Sequence, residues 1–167
     1  MSKIKQLREQ IDEAEMHQLS KQEQKDFFNV GHAQYMSTGS KDPSTKVGAV
    51  IVRPNNSVAS VGFNGFPSGS DDSPELYADR EYKLSRIIHA ELNAIIFARE
   101  PLAGYTMYVY PFMCCDKCYA IIKQAGIKRI VAPIPTAAQT ERWGPAFEKV
   151  REYAAKDGVE LIEIEFE

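Results

Sequence analysis

His89 and Glu91, two positions apart, and Cys115 and Cys118, three apart, are the residues of this 167-residue chain whose types and spacing suit chemistry. One imidazole nitrogen and two thiolates can hold a zinc ion and leave its fourth position open to water. The carboxylate of Glu91 is then free to move protons. Helix positions two apart point in different directions, so His89 and Glu91 do not clamp one ion as an i, i+4 pair would. At a helix N-terminus, however, the histidine can ligate while the glutamate faces the open coordination position. Cys115 and Cys118 open the next helix on one face, where local N–H groups favour their thiolates.

Each motif has a plainer reading. His89 and Glu91 could be solvated polar residues at a helix start. Cys115 and Cys118 could form a redox pair, or half of a structural zinc site completed by Cys114 or His32. A redox pair leaves His89 and Glu91 without a role. In this order, with each motif opening a helix after an apolar strand, they fit the H-x-E then P-C-x-x-C pattern of zinc nucleobase deaminases. In that chemistry, water activated by the metal attacks the amidine carbon. Glu91 would take the proton, protonate the ring nitrogen and pass a proton to the departing ammonia.

The elements that must position these residues are legible from periodicity. Ile4, Leu7, Ile11 and Ala14 form an amphipathic pattern, giving a helical extension over residues 1–20 ahead of a single domain over 21–167. A helix is expected from Lys21 to Met36, then strands at 47–52 and 58–63 joined by a turn at Pro54-Asn55-Asn56. Residues 64–79 read as a long Gly/Pro/Ser/Asp-rich loop. Helices at 89–99, 116–124 and 141–156 then alternate with strands at 105–110, 127–131 and 159–164. The expectation is an α/β fold, a three-layer α/β/α sandwich around a mixed sheet of about five strands.

Composition narrows the partners. A net charge of −3 is wrong for a protein that grips a nucleic-acid polymer through its phosphates, whereas a mononucleotide needs only one or two local cations. No apolar run reaches the roughly 18 residues of a membrane span. Met1 to Gln10 lacks the apolar stretch of a signal peptide. All three cysteines fall within residues 114–118, so they read as metal or redox ligands in a cytoplasmic protein rather than as disulfide staples.

Four stretches carry a closer likeness: SKDPSTKVGAVIV (Ser40 to Val52), GFNGFPSGSDD (Gly62 to Asp72), HAELNAI (His89 to Ile95) and CDKCYAIIKQAGIKRIV (Cys115 to Val131). From Ser40 to Val131 the chain resembles the deoxycytidylate (dCMP) deaminases of the cytidine deaminase superfamily. The resemblance implies hydrolysis of dCMP to dUMP and ammonia, supplying thymidylate synthesis. It implies His89, Cys115 and Cys118 as ligands of one catalytic Zn2+ and Glu91 as the proton shuttle. Asn64 then matches a residue at the substrate sugar, and Ala90 one whose backbone amide holds the pyrimidine.

Many relatives are homohexamers, activated by dCTP with Mg2+ and inhibited by dTTP. The resemblance places that effector site at the glycine-rich loop, here Gly62, Gly65, Gly69, Asp71 and Asp72. Asp71 and Asp72 suit Mg2+, a hard cation that takes oxygen ligands, and suit solvent equally well. Ser44, Thr45 and Lys46 are candidates for the substrate phosphate, against a plain reading as a polar strand entry. The family has Pro immediately before its first zinc cysteine, and here that position is Cys114. Cys115 is preferred as ligand because the run from it through Ile127 keeps the family register without a gap. Two other classes stand beside this reading: a zinc deaminase of another aminated base or nucleoside, and an inactive nucleotide-binding relative.

Overall fold

The computed structural model describes residues 18–166. The helical extension expected over residues 1–20 therefore lies almost wholly outside the described residues. Helix α1 (Lys21–Ser37) begins at a reciprocal cap, in which the Ser20 hydroxyl accepts from the Glu23 N–H and the Glu23 carboxylate accepts from the Ser20 N–H. Strands β1 (Gly48–Val52) and β2 (Val58–Phe63) form an antiparallel hairpin, with Asn56 at φ 69° in its turn. Asn tolerates that left-handed conformation better than most residues.

Two short helices follow, α2 (Pro74–Ala78) and α3 (Arg80–Arg86), then α4 (Ala90–Ala98). Strand β3 (Thr106–Tyr110), helix α5 (Asp116–Gln124) and strand β4 (Arg129–Pro133) make one parallel crossover. Helix α6 (Ala137–Asp157) and strand β5 (Glu160–Ile164) make a second.

The sheet order is β2-β1-β3-β4-β5, with β1 antiparallel to both neighbours and the rest parallel. This is the expected mixed five-stranded sheet. Both of its faces are covered, which explains why β1 is a continuous apolar run instead of an alternating one. Val50, Val52, Tyr108 and Val131 pack with Val30 and Ala33 of α1 on one face. Ala49, Ile51, Met107, Val109 and Ile130 pack with Ala90, Ala94, Ile122, Phe147 and Val150 on the other. So α1 forms one layer, and α4, α5 and α6 the opposite one. Each fully buried Ile, Val or Met here contributes about 1.5–3 kcal/mol relative to its exposed state.

The fold departs from the sequence expectation in two places that matter later. The segment read as a loop over 64–79 contains α2 and runs directly into α3, which was not expected at all. Asp79 caps α3 by accepting from the Tyr82 N–H, so one short polar residue both ends α2 and starts α3. Helix α6 starts one turn before Glu141, at a cap formed by Thr136 and Gln139. Pro145 is the ninth residue of this longer helix and lies inside it. Among the described residues, no helix is long and apolar enough to cross a membrane.

Candidate active site

His89 is the cap residue of α4, with extended backbone and no capping bond from its side chain, so the ring is free to turn outward. The preceding residue is tied down: Gly65 and Ile88 exchange two backbone hydrogen bonds, at 3.1 and 2.8 Å. Cys115 is the cap residue of α5, and its sulfur accepts from the Cys118 N–H at 3.4 Å. These two helix starts meet. His89 Nδ1 lies 3.2 Å from Cys118 Sγ and 3.7 Å from Cys115 Sγ.

All three donor atoms lie within 4.8 Å of one another. A tetrahedral zinc at about 2.3 Å from sulfur and 2.0 Å from nitrogen requires donor-to-donor edges of roughly 3.5–3.8 Å. The cluster fits such an ion with small adjustments. Cys114 is not in it: the side chain is 1% exposed and packs into the apolar core. Burial pushes its thiol well above the ordinary value.

The electrostatics suit a cation. Hydrogen bonding from Cys118, opposed by burial and aided by His89, pulls the Cys115 thiol down, while the same bond and burial push the Cys118 thiol up, so in the absence of a cation the pair shares one proton. The hydrogen bond to Cys115 raises His89, against burial, and the charges of Glu91 and Cys115 add to the rise. Glu91 is 3% exposed, and that burial raises its carboxyl above the ordinary range, although His89 pulls the other way. A carboxyl shifted upward by burial holds its proton to a higher pH than a solvated one, which suits an acid–base role.

Glu91, His89, Ala90 and Cys115 line a cavity of about 200 Å³, and of these Glu91 and Ala90 are buried. Ala90 is the first residue of α4, so its backbone N–H is one of the helix's free terminal donors. One wall is polar, with Asp42, Ser44, Thr45, Asn64 and Lys83; the other carries Phe112, Arg142, Trp143 and Phe147. Phe112 packs on both Trp143 and Phe147, with ring centroids at 4.7 and 5.5 Å.

The remaining residues singled out from sequence are not all gathered here. Asn64 lines the cavity, but its amide is committed: Oδ1 accepts from the Val47 N–H at 2.8 Å, and Nδ2 donates to the Thr45 carbonyl at 2.9 Å. It therefore shapes the 45–47 wall. Ser44 lines the cavity and accepts from Lys83 Nζ at 3.2 Å. Lys46 does not reach this cavity. It lies on a neighbouring groove with Lys41, Asp72, Ser73 and Tyr77.

Gly62 serves close packing, because a Cβ there would meet the Ala90 carbonyl and the Ala94 amide of α4. Gly65 makes the bridge to Ile88, and Gly69 sits at φ 80° with open space around it. Asp71 accepts from the Ser73 N–H, and Asp72 pairs with Lys41 at 2.6 Å, so neither carboxylate is without a partner.

Sequence reasoning missed Lys83, Asp42, Arg142 and Trp143. Lys83 pairs with Asp42 at 3.2 Å, and the two side chains are 12% and 6% exposed. The available signals were the caps: Asp79 ahead of α3, and the Thr136–Gln139 box that begins α6 before Arg142.

The model of the cytidine and deoxycytidylate deaminase zinc-binding region matches residues 21–133. An uncharacterized deaminase in the luxG 3′ region of Aliivibrio fischeri is 41% identical over 137 residues, 82% of this chain and 90% of that protein. The deoxycytidylate deaminase of Homo sapiens is 42% identical over 98 residues, 55% of this chain. The match spans about half of the human protein's length, 54%. Among solved structures, the dCMP deaminase of cyanophage S-TIM5 in apo form superposes with a TM-score of 0.65 at 23% identity, covering 87% of this chain and 100% of that one. Its complex with dCMP and dUMP gives a TM-score of 0.63 at 21% identity. These likenesses are to the fold.

Proposed function

We propose, from the premise that this chain belongs to the cytidine and deoxycytidylate deaminase family, that it hydrolyses dCMP to dUMP and ammonia. The observation that carries the reading is the meeting of His89, Cys115 and Cys118, with His89 and Cys115 lining the same cavity as the buried carboxyl of Glu91. A zinc ion held by those three residues would supply Lewis-acid activation of water. Glu91 handles the protons. It accepts one from the attacking water and delivers it to the ring nitrogen, then takes the proton of the newly formed C–OH and passes it to the amine, which leaves as ammonia while the carbonyl forms. Ala90 offers its backbone N–H to the base, and the apolar side of the cavity, with Phe112 and Trp143, keeps bulk water from the reacting carbon. Asn64 holds the 45–47 wall against which the sugar rests.

The deoxycytidylate deaminases among the relatives favour the nucleotide substrate over another aminated base. The finer parts of the reading are supply of dUMP for thymidylate synthesis in the cytoplasm, a homohexameric assembly, and control by dCTP with Mg2+ and by dTTP. For effector control, the support is the groove that places Lys41, Lys46 and Asp72 beside the glycine-rich loop. The test is the ultraviolet absorbance of dCMP incubated with zinc-loaded protein, with dCTP and Mg2+ present. Steady loss of the cytosine band as uracil forms is the expected result. Unchanged dCMP with protein carrying one zinc per chain would overturn the substrate assignment.

A further inference from the structure

Among the described residues, the cavity is lined by two lysine or arginine side chains, Lys83 and Arg142, and they are in opposite situations. Lys83 is already neutralised. Its ammonium lies against the Asp42 carboxylate at 3.2 Å in a nearly buried pair, with its remaining reach spent on Ser44. An incoming anion at Lys83 would meet Asp42 as well, and like charges at short range repel. Arg142 is exposed at the rim, and among the described residues no carboxylate lies within ion-pair distance of it. Its guanidinium sits 4.5 Å from the centre of the Trp143 ring, a cation–π seat that holds it over the cavity wall.

The reacting end of the cavity is fixed by the buried Glu91 beside the ligand cluster, and Arg142 is exposed, so the far end of a bound nucleotide must face the Arg142 side. The geometry points to Arg142 as the residue that recognises the substrate's 5′-phosphate and so sets the preference for a nucleotide over a nucleoside. A guanidinium offers paired N–H donors that match two phosphate oxygens, and its charge needs no proton exchange to bind the dianion. Arg142 lies in α6, beyond residue 133 where the family match ends, so this contact belongs to a segment the shared motif does not include. The inference rests on the dCMP reading above.

The test measures kcat/KM for dCMP and for deoxycytidine in the zinc-loaded wild type, R142Q and R142K. In R142Q the dCMP-to-deoxycytidine ratio should fall roughly 10- to 100-fold, the scale of one charge-assisted contact, through a rise in KM for dCMP. R142K should recover most of that ratio. A ratio unchanged in R142Q, with the wild type active on dCMP, overturns the role of Arg142 and leaves the reaction standing. A wild type active on deoxycytidine yet inert to dCMP overturns both. A binding measurement needs no turnover, because Trp143 is the chain's single tryptophan. Its fluorescence titrated with dUMP should give a midpoint 10- to 100-fold higher in R142Q, by the same scale. Equal midpoints in the two proteins would also overturn the assignment.

Discussion

Behind one face of the sheet, Asp26 of α1 receives two hydrogen bonds from Arg129 at 2.7 Å and one from the Tyr108 hydroxyl at 3.0 Å. Behind the other face, Glu91 of α4 is just as deeply buried, yet it takes no hydrogen bond from another side chain among the described residues. The outcomes for the two carboxyls diverge accordingly. Burial pushes Asp26 up, but the bonds from Arg129, Gln22 and Tyr108 outweigh it and hold the carboxyl below its ordinary value. Burial pushes Glu91 up and prevails. A buried acid whose lone pairs are filled is a structural tie, and one left facing a cavity is available for proton transfer.

The largest effect expected from this contrast is on turnover. Glu91→Gln should lose a thousand-fold or so in kcat, within the general acid–base range, while zinc content by elemental analysis and the melting temperature stay near wild type. Turnover close to wild type in that variant would erase the functional half of the contrast. The ligands come next. Cys115→Ser should lose the metal, whereas Cys114→Ser should keep it; the opposite pattern in metal analysis would move the ligand set by one residue.

On the structural side, Asp26→Ala leaves the largely buried Arg129 with only the exposed Glu160 at 3.3 Å, so the cost in denaturant unfolding should approach, from below, the roughly 3–5 kcal/mol of a wholly unpaired buried charge. Its activity per folded molecule should persist, and a folded but inactive variant would break the separation of the two faces. The sign with pH follows from the depressed carboxyl. Its stabilisation is complete above the ordinary value near 3.9 and is lost as pH falls through the lower folded value. Asp26→Asn should therefore show a flatter acid limb below about pH 4 than wild type. Smallest is Gly62→Ala, where overpacking against α4 should cost about 1–3 kcal/mol and lower zinc affinity by displacing His89. Wild-type stability and metal binding there would show that β2 does not position α4.

The same contrast governs how much could be read from the sequence. That His89, Glu91, Cys115 and Cys118 belong together was legible because each pair sits at one helix start, at the caps of α4 and α5, and because their order matches the zinc-deaminase pattern; spacing alone left other readings open. The sheet and its helices were legible because β1 is apolar at every position, α5 carries a clean helical pattern and α4 is built of good helix formers. Asp26 and Arg129 are 103 positions apart, and only the tertiary fold pairs them. Lys83 and Arg142 were invisible for a related reason: Lys83 lies on α3, a helix that was not expected, and Arg142 on α6, whose start was misplaced. Lys46, next to a strand entry, pointed to a phosphate by residue type, but its side chain lines the neighbouring groove.

His89 caps α4 and Cys115 caps α5, and these helices belong to chain segments joined only through β3 and its flanking loops. An ion held between them acts as a clasp as well as a reagent, and mass action turns its affinity into conformational stability. At a free metal concentration a thousand times its dissociation constant, the clasp adds about 4 kcal/mol to the folded state. Metal supply would then set the protein's lifetime together with its rate, and a chelator would loosen the helix pair as it silenced the chemistry.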